Sequence, residues 1–135
     1  MNIEKRNALV EQLSAESEPL LVPIARFLEG NDDLGSIGCN LREHPGIDAF
    51  RKVFEAVARR PDVVTILAQI AELDPGAESW PFADTVYVVG RIPEKELKSI
   101  LTPLQPDEVG PASAFDVPAA VTSKYPEPVL VAWWD

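Results

Sequence analysis

One cysteine, one histidine and only 12 Lys plus Arg residues among 135 set the first limits on this chain. A lone cysteine closes no internal disulfide, which agrees with a reducing compartment. A lone imidazole means that any His-dependent triad would have to use His44. No run approaches the roughly 18 consecutive apolar residues a membrane span needs. The opening MNIEKRNALVEQL carries acids and amides where a signal peptide would be apolar. The expected setting is the cytoplasm. Catalytic signatures are missing too: there is no G-x-G-x-x-G, G-x-S-x-G, H-E-x-x-H or paired C-x-x-C. No cofactor is expected.

The shortage of bases leaves 22 acids and a net charge of -10. That balance opposes phosphate backbones, which are gripped by clustered Lys and Arg. Nucleic acid and anionic membranes are therefore not expected as partners. Acidity serves solubility, and it also steers a basic protein partner toward the surface. Pro61 to Gly90 holds Asp62, Glu72, Asp74, Glu78 and Asp84 without one Lys or Arg, and is expected to form an acidic surface.

No repeat or linker divides the chain, so residues 1–135 are read as one domain. Ile3, Leu9, Val10 and Leu13 give a first helix; Leu21, Ile24, Ala25 and Leu28 give a second from Leu20 to Glu29, with Pro23 in its first turn and Gly30 as its stop. Residues 1–29 thus read as a helical hairpin. Ser36 to Leu41 alternates like a short strand. Ile47, Phe50, Val53, Phe54 and Val57 form the apolar stripe of a helix that Pro61 ends. DVVTILAQIAEL and TVYVVGRI read as antiparallel strands, PEKELKSIL as a short helix and PVLVAWWD as a last strand. A proline-rich excursion from Thr102 to Pro128 precedes that strand, with a short helix expected near Pro118 to Ser123.

From Ser36 the order is β-α-β-β-α-β, predicting an α+β fold with a ferredoxin-like core over 36–135 and the last strand at a sheet edge. The strands are apolar on both faces, so the second face needs a cover. The N-terminal hairpin is the expected cover; the proline-rich excursion and a second copy of the chain are the alternatives.

The stretch GNDDLGSIGCNLREHPG concentrates the chemistry-bearing residues. Cys39 shares its alternation with Ile37 and Leu41 and is expected in the core as a small inert hydrophobe. His44 precedes Pro45 and so lies in extended backbone; a Cys39–His44 dyad oriented by an Asp is the catalytic alternative. Asn31, Asp32 and Asp33 start like a calcium loop, but Gly35 and Arg42 stand where ligands should be. A looser cation site would draw on Asp32, Asp33, Glu43, Asp74 and Asp84. GNDDLGS imitates P-loop glycine spacing without the lysine. In the loop DPGAESWPFAD, Trp80 and Phe82 stand among carboxylates, as contacts to an Arg- or Lys-rich surface or as a lid on the sheet edge. The partner-binding candidates are Glu29, Asp32, Asp33, Asp74, Glu78, Trp80 and Asp84.

GNDDLGSIGCNLREHPG, DPGAESWPFADTVYVVG, LQPDEVG and the terminal AWWD resemble phrases of small, single-domain, uncharacterised bacterial proteins, over most of the chain from Gly30 onward. Size and acidity are similar to those of toxin-neutralising immunity proteins, a resemblance of type that carries no catalytic residues. The expectation is a non-catalytic, monomeric protein-binding domain of inhibitor or immunity type that engages a basic partner. The alternatives are a small-molecule or divalent-metal-dependent enzyme using Asn31 to His44, and a structural homodimer subunit.

Overall fold

The computed structural model describes residues 1–135. Helix α1 spans Ile3–Ser14, capped by the Asn2 side chain, which accepts from the Lys5 N–H. Strand β1 (Leu21–Pro23) leads directly into α2 (Ile24–Leu28), and α3 (Ile47–Ala58) is followed by β2 (Val63–Glu72), β3 (Phe82–Gly90) and α4 (Glu94–Ile100). Strand β4 (Glu108–Pro111), α5 (Ala119–Thr122) and β5 (Val129–Trp133) complete the chain. The five strands form one sheet in the order β1-β2-β3-β5-β4, and every neighbouring pair is antiparallel.

The fold is α+β, but the ferredoxin-like order is corrected. A βαβ unit brings parallel strands together, and this sheet contains none. Two local causes explain the difference. Ser36 to Leu41 forms turns instead of a strand: Gly38 takes φ +65, and a Cβ there would meet Leu41 Cδ1 at 2.9 Å. The side chains of Asn31, Asp33 and Ser36 at its entry bond nearby backbone in place of a ladder. The helix expected from Leu20 is interrupted because Pro23 holds the preceding residue extended. Leu21, Val22 and Pro23 therefore pair with Gln69, Ala68 and Leu67, and helix begins only at Ile24. Residues 1–29 are helix, strand and short helix, not a helical hairpin.

The expected antiparallel pairing of β2 with β3 is present, with Leu67 opposite Tyr87 and Ala68 opposite Val86. The last strand is internal, between β3 and β4. The two edges are β1 and β4, each short and each carrying a proline, Pro23 and Pro111, which blunts addition of a further strand.

The main core lies on one sheet face. Leu9 and Leu13 of α1, Phe27 and Leu28 of α2, Phe50 and Phe54 of α3 and Leu97 of α4 pack with Ile66, Ala68, Val86, Val88, Leu130 and Ala132 of the strands. Each large side chain buried on the α3 stripe contributes about 1.5–3 kcal/mol before conformational entropy is set against it. On the other face Leu67, Tyr87, Val89, Val129 and Val131 pack with Val121, and Ala112, Phe115, Val117 and Tyr125 close over them. The cover of the second face is thus the proline-rich excursion, while α1 joins the main core. The connection between the antiparallel neighbours β4 and β5, residues 112–128, is long enough to lie over that face.

Gly90, the last residue of β3, shows how tightly that strand end is drawn to the start of β2. Its φ is +153, and a Cβ would lie 2.2 Å from the Asp62 carbonyl oxygen and 2.8 Å from Val63 Cα, both immovable backbone. Asp62 O already accepts from the Arg91 N–H at 2.7 Å. Gly90→Ala is expected to destabilise the protein by about 3 kcal/mol or more, read from the midpoint of urea unfolding, whereas Gly76→Ala, open to its surroundings, should change it little.

Candidate functional site

The Asn31 to Ser36 turn is a closed set of hydrogen bonds. Asn31 Oδ1 accepts from the Asp33 N–H at 2.9 Å, and Asn31 Nδ2 donates to Ser36 Oγ at 2.9 Å. Ser36 Oγ donates to the Asp33 carbonyl at 2.6 Å. One Asp33 oxygen accepts from the Gly35 N–H and the other from the Trp80 N–H, both at 2.9 Å. The Ala83 N–H donates to Ser36 O at 2.8 Å. Asp33 therefore joins its own turn to the loop before β3, and neither oxygen is left free for chemistry.

His44 is equally engaged. The Gly46 N–H donates to Nδ1 at 2.9 Å, which leaves Nε2 to carry the proton and donate to Ile37 O at 2.8 Å. Its ring leans on Phe50 with centroids 5.4 Å apart. This imidazole organises the start of α3. Cys39, expected in the core, is exposed, because the turn at Gly38 ends the alternation that would have carried it inward. No three His, Cys, Asp or Glu side chains come together as a metal site; Asp32 instead pairs with the Met1 amine at 2.9 Å.

The acidic loop after β2 is held by a cation the segment itself does not contain. Arg6 on α1 is 5% exposed. Its guanidinium donates to Asp74 Oδ1, to Gly76 O at 2.7 Å, to Ser79 O at 3.0 Å and to Asn7 Oδ1 at 3.1 Å. Trp80, offered as an exposed contact, is buried at 1%. The aromatic belongs to the core, as the lid reading had it. Glu29 pairs with Lys5 Nζ at 2.7 Å, and that hydrogen bond, followed by the charge of Lys5, holds its carboxyl below the usual carboxylate range. Of the six acidic candidates, Asp33, Glu78 and Asp84 have no ion pair; Asp33 is held by backbone N–H groups, and Asp84 accepts only from the Thr85 hydroxyl at 2.9 Å among side chains. Arg60 engages Asp62 and Glu96, and its hydrogen bond lowers the Asp62 pKa.

The chain belongs to the Uncharacterized protein YfbO family. The match covers residues 4–130, from α1 into β5. No curated protein and no solved structure matches the chain. The YfbO match agrees with the resemblance to uncharacterised small proteins, and its span takes in Arg6, the Asn31 turn and the loop they hold. The sequence reading missed Arg6. The signal was present, since Arg6 stands at helical spacing with buried Leu9 and Leu13 and so occupies a core-facing position.

The sequence reading also passed over Tyr87. It is buried, donates its hydroxyl to Gln69 Oε1, and has its pKa pushed up from 10.0 to about 12 by burial first, then by the charges of Asp84 and Asp116. Two predictions follow from these contacts. Arg6→Met should cost about 2–4 kcal/mol, because two loop carbonyls and Asp74 lose their donor. Asp74→Asn, which keeps both carbonyl bonds, should cost under about 1.5 kcal/mol in the same denaturant titration. For Tyr87, the unfolded phenol ionises first as pH rises, so the folded state binds the extra proton between pH 10 and about 12. Stability is expected to fall across that window, and Tyr87→Phe should remove this part of the pH dependence of the melting temperature.

Proposed function

We propose that this protein is a non-catalytic, acidic binding domain that engages a basic protein, acting in the cytoplasm as a monomer in the manner of an inhibitor or immunity factor. The observation that carries the reading is the contrast between engaged and free polar groups. Of the residues offered for catalysis in the Asn31 to His44 stretch, Asn31, Asp32, Asp33 and His44 are tied to neighbouring side chains, to backbone or to the chain's own amine, while Cys39 and Glu43 are exposed. Asp84, Glu108, Asp116 and Asp135, by contrast, take part in none of the six ion pairs.

A field of unpaired carboxylates raises the encounter rate with a basic surface and disfavours acidic ones. The exposed large hydrophobics are three, Ile3 on α1, Leu34 in the Asn31 turn and Val64 on β2. Immobilised protein incubated with lysate of its native host should retain a basic protein, identified by mass spectrometry, that elutes as salt rises from about 0.1 to 0.5 M. Retention of neutral or acidic proteins indifferent to salt would overturn the reading. So would turnover of a small compound that His44→Ala abolishes while the protein stays folded.

A further inference from the structure

The pairing register lays one row of residues across all five strands. Leu21 stands opposite Gln69, Gln69 opposite Thr85, Thr85 opposite Trp133, and Trp133 opposite Glu108. Directly opposed residues point to the same face. That face is the second one, because Val129 and Val131 of β5 pack there and Trp133 continues their alternation. The Tyr87 hydroxyl bonded to Gln69 and the packing of Leu21 against the same cluster agree.

The excursion covers the neighbouring rows, burying Tyr87, Val89, Val129 and Val131, but stops short of this one. Leu21, Gln69, Thr85 and Trp133 are all half-buried and Glu108 is exposed. A bulge adds to the arrangement. Thr85 faces Gln69 but Ala83 faces Ile70, so Asp84 is an extra residue without a partner on β2, and bulges re-aim side chains in this way. Asp84 bonds the hydroxyl of Thr85 in this row, and Asp116 stands between Phe115 and Val117, which close over this face; the charges of both act on the Tyr87 phenol. Beyond Glu108 the row opens onto a cavity of about 560 Å³, whose lining carries Glu94, Asp107 and Glu108 against a single lysine, Lys98.

We propose that this open end of the sheet, centred on Trp133 and bordered by Asp84, Glu108 and Asp116, is the surface that docks the basic partner, with an arginine or lysine of that partner laid on the Trp133 ring. The inference rests on the binding reading above and moves its contact surface from the Asp74 to Trp80 loop to the sheet. The chemistry fits a cation in two respects. An indole face attracts guanidinium, and the surrounding carboxylates have no cation of their own. A stacked guanidinium also leaves its N–H groups free to reach the flanking carboxylates.

The test is titration of a short oligoarginine peptide at about 10 mM ionic strength, where screening is weak, read by peptide anisotropy and intrinsic tryptophan fluorescence. Trp80 and Trp134 are buried, so the half-buried Trp133 is the tryptophan positioned to report. Asp84→Lys/Glu108→Lys should weaken binding about tenfold or more relative to Glu11→Lys/Glu55→Lys, which changes net charge equally on other elements. Trp133→Ala should weaken it comparably. If that variant loses its melting transition, the milder Asp84→Asn/Glu108→Gln pair decides, with an expected loss of about threefold or more. Equal weakening by both charge-reversal pairs would overturn this surface and leave a diffuse acidic attraction in place. Absence of any saturable binding would overturn both the surface and the reading beneath it.

Discussion

A guanidinium sits where the N-terminal helix should present a hydrophobe, and much of the molecule is arranged around it. Arg6 lies beside Leu9 and Leu13 on the buried side of α1, so its charge has to be met inside the protein. Two carbonyls and one carboxylate of the loop between β2 and β3 meet it. A cation in such a position is tolerated only when its donors are matched, because an unmatched buried charge costs several kcal/mol. Once the loop is drawn to α1, Trp80 is carried into the main core, and its N–H lies within reach of Asp33. The Asn31 turn, the loop and α1 then form one hydrogen-bonded unit at the β1–β2–β3 side of the sheet.

That unit decides which acids are available outside. Asp74 and Asp33 are occupied by it, Asp32 by the chain's own amine and Glu29 by Lys5. Among the carboxylates left without a cation are Asp84, Glu108 and Asp116, toward the β3–β5–β4 side, where β4 ends the sheet. The same topology that sends the excursion across the second face leaves its last row open. A sheet apolar on both faces must be covered on both, and the cover supplied by Ala112, Phe115, Val117, Val121 and Tyr125 is long enough for the central rows only.

Much of the architecture was legible in the residues. The stripe of α3, the β2–β3 pair, the apolar character of both sheet faces and a short helix near Pro118 all follow from period and propensity. The opposite facing of Trp133 and Trp134 follows from alternation alone, and Trp134 is indeed in the main core, its indole N–H donating to Leu104 O at 2.8 Å. What was not legible depended on partners distant in sequence. Ser36 to Leu41 alternates like a strand, but its bonds are decided by Asp33, Ser36 and a glycine at positive φ. The acidity of the Pro61 to Gly90 segment was read correctly as an exposed surface, with Glu72, Asp74 and Glu78 all exposed, but the cation that Asp74 pairs with lies 68 residues away and was not seen. Row membership of Trp133 and Glu108 needs the register of four strand pairs, which no single sequence states.

Position on strands matters to how such a surface works. Contacts carried by loops must be ordered when a partner arrives, at a cost of about 0.5–1.5 kcal/mol for each mobile side chain, whereas the row from Leu21 to Glu108 is already aligned by backbone hydrogen bonds on five strands. Carboxylates without counter-charges on one face repel each other in the free protein, and the charges of Asp84 and Asp116 add to the burial that raises the Tyr87 pKa. A bound cation relieves this repulsion as well as supplying new contacts. In the docking proposed above, charge left unpaired on a rigid element would therefore favour the docked state twice, once by attraction and once by removing a repulsion that the free protein carries.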